Sequence, residues 1–216
     1  MFSLGTRFVK RTMDLVVGSC MLLMSAIPLL IAAAAIKLED GGQSVFRQQR
    51  IGRGGTPFAI LKLRTMTVVH SDPSKPERLF HDDPRITRIG GALRKLGLDE
   101  LPQLFNVLNG SMSLVGPRPT LRFQVAQYNN FQRRRLEAKP GITSLAVVSG
   151  RNALSWNERI KLDVWYIDHW SLRLDLSILL RTLWKVLVTR EGLYGAEGFN
   201  DGFVSSPAVD DIAEDS

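Results

Sequence analysis

Three patterns of apolar and polar positions divide this chain. From Leu15 to Ile36 there is no alternation at all: 22 consecutive residues carry no charge. As a helix such a run is long enough to cross the roughly 30 Å hydrocarbon layer of a bilayer. Further on, Phe58-Ala-Ile-Leu-Lys-Leu-Arg-Thr-Met66 has a period of two and predicts a strand. Val45-Phe46 predicts a second short strand, and the glycine-rich Ile51–Pro57 stretch between them predicts a hairpin turn. On that strand Lys62 and Arg64 alternate with leucines, so the period places both cations on one face. His70–Asp83 is polar and predicts a loop, and Pro84–Leu96 predicts a turn followed by a short helix. From Leu98 the period lengthens. Leu101, Leu104, Phe105 and Leu108 recur at helical spacing, with Asp99 placed as N-cap, Glu100 as first helical residue and Asn109-Gly110 as the stop. Lys139-Pro-Gly-Ile-Thr143 predicts a turn, and Val147–Asn152 ends in a loop that offers Arg151 and Asn152. The leucine-rich Leu172–Val188 predicts an amphipathic helix, packed on the body or lying in a membrane interface, and the pattern leans towards packing. Beyond Gly195 the chain predicts a flexible acidic tail.

The flanks of the apolar run decide how it is read. Arg7, Lys10 and Arg11 precede it and Lys37, Arg47, Arg50 and Arg53 follow it. Lys and Arg favour the cytoplasmic side, so both ends point to one face. Pro28 near the middle removes a helix hydrogen bond and favours a bend, and Ser25 three residues earlier is placed to satisfy a freed carbonyl. A helix that enters, bends and returns accounts for these features. A plain span accounts for the length alone, and on the residues by themselves both readings stay open. The expected fold class is α+β, mostly helical: an N-terminal membrane helix over 1–37, a compact cytoplasmic domain over 38–194 with a short β-hairpin and interfacial amphipathic helices, and the tail over 195–216.

Composition narrows the partner. The chain of 216 residues carries a formal net charge of +7 and a pI near 9.9, which favours an anionic partner. The single cysteine, Cys20, excludes an internal disulfide framework, and three histidines without cysteine neighbours give no zinc spacing. No aromatic platform argues for nucleic acid.

The candidate chemistry lies between Arg94 and Pro119. Asp99 and Glu100 stand side by side at a helix start, where a capping and dipole role is the ordinary explanation. Two features argue for more. A helix N-terminus favours an ionised, nucleophilic carboxylate, and Arg118 sits between Pro117 and Pro119, which restrict its backbone. Arg85, Arg88, Arg94 and Lys95 add cations nearby in sequence, a pattern that suits phosphate binding as well as a membrane surface.

The motifs then meet a known family. Lys10-Arg11-x-x-Asp14, Lys62-Leu-Arg-Thr-Met66, Asp83-Pro-Arg-Ile-Thr-Arg88, Leu98-Asp-Glu-Leu-Pro-Gln-Leu-Phe-Asn-Val-Leu108, Val115-Gly-Pro-Arg-Pro119, Pro140-Gly-Ile-Thr143 and Gly150-Arg-Asn152 occur in the order seen in the small monotopic phosphoglycosyl transferases of the bacterial sugar transferase family. The resemblance covers roughly residues 7–190, and with one apolar segment the chain resembles the minimal form. It implies transfer of a phosphosugar from a UDP-sugar to a membrane polyprenol phosphate, undecaprenyl phosphate being the expected acceptor, with UMP leaving. It implies Asp99 as nucleophile forming a covalent phosphosugar, Glu100 completing the dyad, magnesium bound at both, and Arg94, Arg118 and Arg151 on phosphates or nucleotide. It also implies a re-entrant anchor bent at Ser25 and Pro28, and a place on the cytoplasmic face of the bacterial inner membrane. Lys62, Arg64, Arg85, Arg88 and Asn152 complete the expected binding set; membrane lipids are expected partners, and a homo-oligomer is open.

Three departures bear on specificity. Gly110-Ser-Met-Ser113 stands where the family usually has an acid after the glycine. Ser144-Leu-Ala-Val-Val-Ser149 lacks two usual amides, at Val147 and Ser149. Ser25 is three residues from Pro28 rather than adjacent. The rival class is a catalytically silent membrane adaptor that binds anionic lipid through its basic surface, which predicts salt-sensitive binding without turnover.

Overall fold

A computed structural model describes residues 4–67, 84–150 and 153–186. The first helix, α1, runs from Leu4 to Asp40 with Pro28 inside it. The Ser25 hydroxyl donates to the Leu22 carbonyl at 3.2 Å. This corrects the expected pairing, because the carbonyl that Pro28 frees belongs to Met24, one turn before the proline. Much of the helix meets no other part of the body: Leu23, Met24, Ile27, Leu30 and Ile31 are all more than three-fifths exposed.

The hairpin is longer on one arm than the pattern predicts. β1 spans Val45–Ile51 and β2 spans Pro57–Leu63, antiparallel, with Val45 opposite Leu63 and Ile51 opposite Pro57. The turn is therefore 52–56, and the polar Arg47-Gln48-Gln49-Arg50 segment belongs to β1 because its backbone pairs along β2 whatever its side chains are. The shared face expected for Lys62 and Arg64 does not form. β2 ends at Leu63, so Arg64 leaves the pleat; its backbone N–H donates to Ser44 and its guanidinium pairs with Asp40.

Next comes α2, Arg88–Leu96, capped at its start by the Thr87 hydroxyl and at its end by Gly97, whose φ of 67° is the left-handed conformation that favours glycine. The chain then turns at once through a short 3₁₀ segment, Leu98–Glu100, into α3, Gln103–Leu108. Here the capping expectation is corrected. Pro102 is the cap residue of α3, and Asp99 and Glu100 lie in the corner between two helices rather than on a helix start. The stop at Asn109-Gly110 holds, with Gly110 at φ 87°.

β3, Ser113–Val115, pairs in parallel with β4, Gly141–Thr143. The second strand replaces the expected turn at Pro140-Gly-Ile-Thr143. The reason is backbone contact: a Cβ on Gly116 would lie 2.3 Å from the Lys139 carbonyl oxygen, and one on Gly141 would lie 2.1 Å from the Gly116 nitrogen. Short helices α4, Arg122–Ala126, and α5, Asn130–Arg133, lead to a 3₁₀ turn at Arg134–Glu137. Then come α6, Leu145–Ser149, α7, Trp156–Asp168, and α8, Leu172–Trp184.

Leu104, Val107, Met112, Leu114, Val115, Tyr166 and Ile178 form the centre of the main core. A second cluster joins Ala32 and Ile36 of α1 to Leu63 of β2 and Leu93 of α2. α8 buries Asp175 and Ile178 against the body, yet Leu172, Leu176, Leu180, Leu183 and Trp184 are exposed. The helix thus carries an outward apolar stripe at i, i+4, i+8 and i+11, which packing on the body alone does not explain.

Candidate active site

The acids are placed by the corner. Gly97 ends α2 without a side chain, and the 3₁₀ turn swings Asp99 and Glu100 into the interior, each only 1% exposed. Beside them runs β2, and α3 is held to its edge by Asn106. That amide accepts from Leu61 N at 3.0 Å and donates to the Ala59 carbonyl at 2.8 Å, filling the ladder positions that a third strand would take. Asn106 was missed in the sequence; a lone amide inside Leu104-Phe-Asn-Val-Leu108 is the signal that could have found it.

Glu100 is clamped by two cations. Its Oε1 accepts from Lys62 Nζ at 2.9 Å and from Arg118 Nη2, and its Oε2 accepts from Arg118 Nη1 at 3.3 Å. The two-point grip is the strong carboxylate–guanidinium geometry. Burial pushes the Glu100 carboxyl up, but Arg118 and then Lys62 outweigh it and bring it down to about 2. Burial lowers the Lys62 ammonium, Glu100 opposes that shift, and Arg118 adds to it. Lys62 also feels the charge of Asp99. Four residues expected from the sequence therefore meet: Asp99, Glu100, Lys62 and Arg118.

Arg118 has support that the sequence did not reveal. Its carbonyl accepts from Arg135 Nη2 at 3.1 Å. Arg135 is itself buried, paired with Asp163 at 2.6 Å and bonded to the Tyr128 hydroxyl at 2.8 Å. Asp163 falls among Ile160, Val164 and Ile167 on the buried face of α7; that placement is its sequence signal, since a charge on an apolar stripe needs a partner.

The remaining expected residues divide. Arg94, in the last turn of α2, donates from Nε to the Thr65 hydroxyl at 2.8 Å, one turn before the acids. Arg64 is taken by Asp40. Arg85 offers its carbonyl to the Thr67 N–H at 2.8 Å, and Arg88 opens α2 exposed to solvent. No bond among the described residues ties Arg64, Arg85 or Arg88 to the dyad. Arg151 and Asn152 lie outside the described residues. Ser111, at the altered family position, is held in the turn after α3 by Asn109 and Asn106. Val147 is buried in α6 and Ser149 is exposed.

Glu100, held by two cations at a pKa near 2, is no base at neutral pH. A divalent ion fits the donor chemistry in one way. Among the described residues no three His, Cys, Asp or Glu side chains converge. Asp99 and Glu100 would supply at most two protein ligands, leaving phosphate oxygens and water for the rest, which is how magnesium is usually held in phosphoryl-transfer sites.

Known proteins match this chain over most of its length. The bacterial sugar transferase family model matches residues 5–189. The chain is 45% identical over 185 residues to the uncharacterized sugar transferase EpsL of Bacillus subtilis, covering 86% of this chain and 90% of that protein. It is 44% identical over 191 residues to the UDP-glucose:undecaprenyl-phosphate glucose-1-phosphate transferase of Caulobacter vibrioides, covering 83% of this chain and 70% of the relative. It is 43% identical over 205 residues to the undecaprenyl-phosphate galactose phosphotransferase of Salmonella typhimurium, where it spans 88% of its own length and 42% of the relative's.

Proposed function

The chain belongs to the bacterial sugar transferase family, and from that membership we propose that it is a phosphoglycosyl transferase moving a sugar 1-phosphate from a UDP-sugar onto a polyprenol phosphate. The observation that carries the chemistry is the corner itself, with two adjacent buried acids beside Lys62 and Arg118, both of which Glu100 grips. Asp99, the neighbouring buried carboxylate, takes the role of nucleophile by the family resemblance. Its oxygen attacks the phosphorus bearing the sugar, the diphosphate P–O bond breaks, and UMP leaves with that bond's electrons. The polyprenol phosphate oxygen then attacks the same phosphorus and displaces Asp99. Arg118 and Lys62 supply fixed positive charge where charge gathers on the transferring phosphoryl oxygens, and Glu100 keeps both cations in place. Magnesium, held by Asp99 and Glu100, would neutralise diphosphate charge.

The membrane reading has its own support. Close to the start of the apolar run Asp14 bonds Ser113 and Leu114 of the body, while at its end Ile36 packs on Leu63 and Leu93 and Glu39 reaches the Ile89 N–H. A spanning helix would hold these two ends on opposite faces about 30 Å apart; one compact body touching both suits an anchor that enters and leaves on the cytoplasmic face. The exposed leucine stripe of α8 suits the same interface.

The test is UMP release from UDP-sugars with magnesium and polyprenol phosphate. Asp99→Asn is expected to abolish release and to leave no radiolabelled phosphosugar on the protein; turnover surviving in that variant would remove Asp99 as nucleophile. Cysteines at Ser3 and Gly42 are expected to label from the cytoplasmic side only, and labelling from opposite sides would establish a span.

A further inference from the structure

The Lys10-Arg11-x-x-Asp14 motif takes no part in the chemistry above, and by position it belongs with the charges that flank the apolar run. Its side chains point inward instead. Arg11 spreads its guanidinium over two successive carbonyls in the last turn of α3, Nη1 to Val107 at 2.6 Å and Nη2 to Leu108 at 2.7 Å. Asp14 Oδ1 accepts from the Ser113 hydroxyl and the Leu114 N–H, both at 3.0 Å, at the start of β3. Lys10 Nζ donates to the Val115 carbonyl at 3.0 Å, at the end of β3, and is braced there by Asp175 at 2.6 Å and the Tyr166 hydroxyl at 3.2 Å. Asp14 is 2% exposed and the Lys10 side chain 12%.

These fixings fall on one loop of chain. It begins at Glu100, rises through α3, turns at Gly110, descends through β3 and reaches Arg118 by way of Gly116-Pro117. Its two ends meet in the Arg118–Glu100 fork. Arg11 fixes the far end of the ascending arm, Asp14 the start of the descending arm, and Lys10 the residue immediately before the Gly-Pro-Arg turn. Pro117 leaves little slack between that carbonyl and Arg118. We infer that Lys10, Arg11 and Asp14 are positioning residues, by which the membrane helix sets the register of the two arms carrying Glu100 and Arg118, and that their charge does not serve the membrane surface. The inference rests on the phosphotransferase reading for its kinetic consequence and on geometry alone for its structural one. Slippage of either arm misaligns Arg118 at the transferring phosphate, a loss felt in the chemical step more than in donor binding.

Charge-preserving exchanges test it. Arg11→Lys keeps the charge but cannot bridge two carbonyls, and Lys10→Arg keeps the charge but does not fit between Asp175, Tyr166 and Val115. The expected result is a kcat for UMP release lower by about tenfold, a KM for the UDP-sugar within about twofold of the parent, unchanged sedimentation with phosphatidylglycerol vesicles, and faster amide exchange in 113–118. Parent-like kcat with parent-like exchange overturns the inference. So does a fall in kcat matched by an equal loss of vesicle binding, since surface charge then explains it. Should an exchange unfold the protein, Lys10→Met with Asp175→Leu removes both buried charges together; a folded, slow double variant supports the inference and a folded, fast one overturns it. The parent assayed alongside separates the two readings. A parent silent against all donors sinks the phosphotransferase proposal, while exchange in 113–118 still decides this one.

Discussion

Glu100 and Asp175 are both buried acids that meet a lysine, and they differ in what else surrounds them. Glu100, 1% exposed, has Lys62 and a second cation, Arg118, whose side chain is 35% exposed. Asp175 has Lys10 and two neutral donors, the Tyr166 hydroxyl at 2.6 Å and Trp170 Nε1 at 3.0 Å. Burial and then the charge of Asp175 push the Tyr166 phenol far up, so it stays a donor at any ordinary pH. One acid thus shares two cations with a second carboxylate and opens through Arg118 to solvent. The other is sealed and satisfied. Burial and a lysine are common to both; the second cation, the second carboxylate and the open side are what distinguish the candidate site.

Removing Arg118 should show the contrast most strongly. Arg118→Ala is expected to lower kcat for UMP release by about a hundredfold to a thousandfold, the scale of losing a fixed charge at a developing anion. A comparable kinetic loss in Asp175→Asn would erase the distinction. For Asp175→Asn the expected damage is to folding, about 3 kcal/mol by urea titration, because the largely buried Lys10 loses its direct ion-pair partner; its KM for the donor should hold.

Acid titration sharpens the Glu100 side. Its folded pKa of about 2 lies below the ordinary 4.5. Stability from the clamp is therefore fully present above about pH 4.5 and fades as pH falls towards 2, an advantage over Glu100→Gln of up to about 3 kcal/mol. Parallel stability curves for the two proteins from pH 6 to pH 2 would contradict that. The smallest effect belongs to a pair outside both clusters. Arg134 and Asp168 are about two-fifths exposed, and Asp168→Asn should cost less than about 1 kcal/mol.

Elements with a strong period were legible: the apolar helix, the hairpin, the turn and helix before Leu96, and the stop at Gly110. Sequence placed Asp99, Glu100, Lys62 and Arg118 in one set because each sits in a distinctive local motif. It failed where long-range backbone contact decides. β4 exists because Gly116 and Gly141 allow two backbones to touch, a fact that neither stretch carries alone. The Lys62 and Arg64 face failed because a strand end two residues earlier or later is invisible to a period of two. Arg135 and Asp163 escaped because, as single charges, each has an ordinary solvated explanation until the fold joins them at 2.6 Å.

The inward-facing polar residues of α1 also set a schedule for biosynthesis. Asp14 is made 99 and 100 residues before the Ser113 and Leu114 groups that satisfy it, and Lys10 is made 165 residues before Asp175. At about 5–20 residues per second, Asp14 waits roughly 5–20 seconds for its partners. During that interval an ionised Asp14 needs water. On the proposed re-entrant reading, the nascent helix is expected to stay at the headgroup level, shallow enough to keep Asp14 hydrated, until the translating ribosome delivers the strand that covers it.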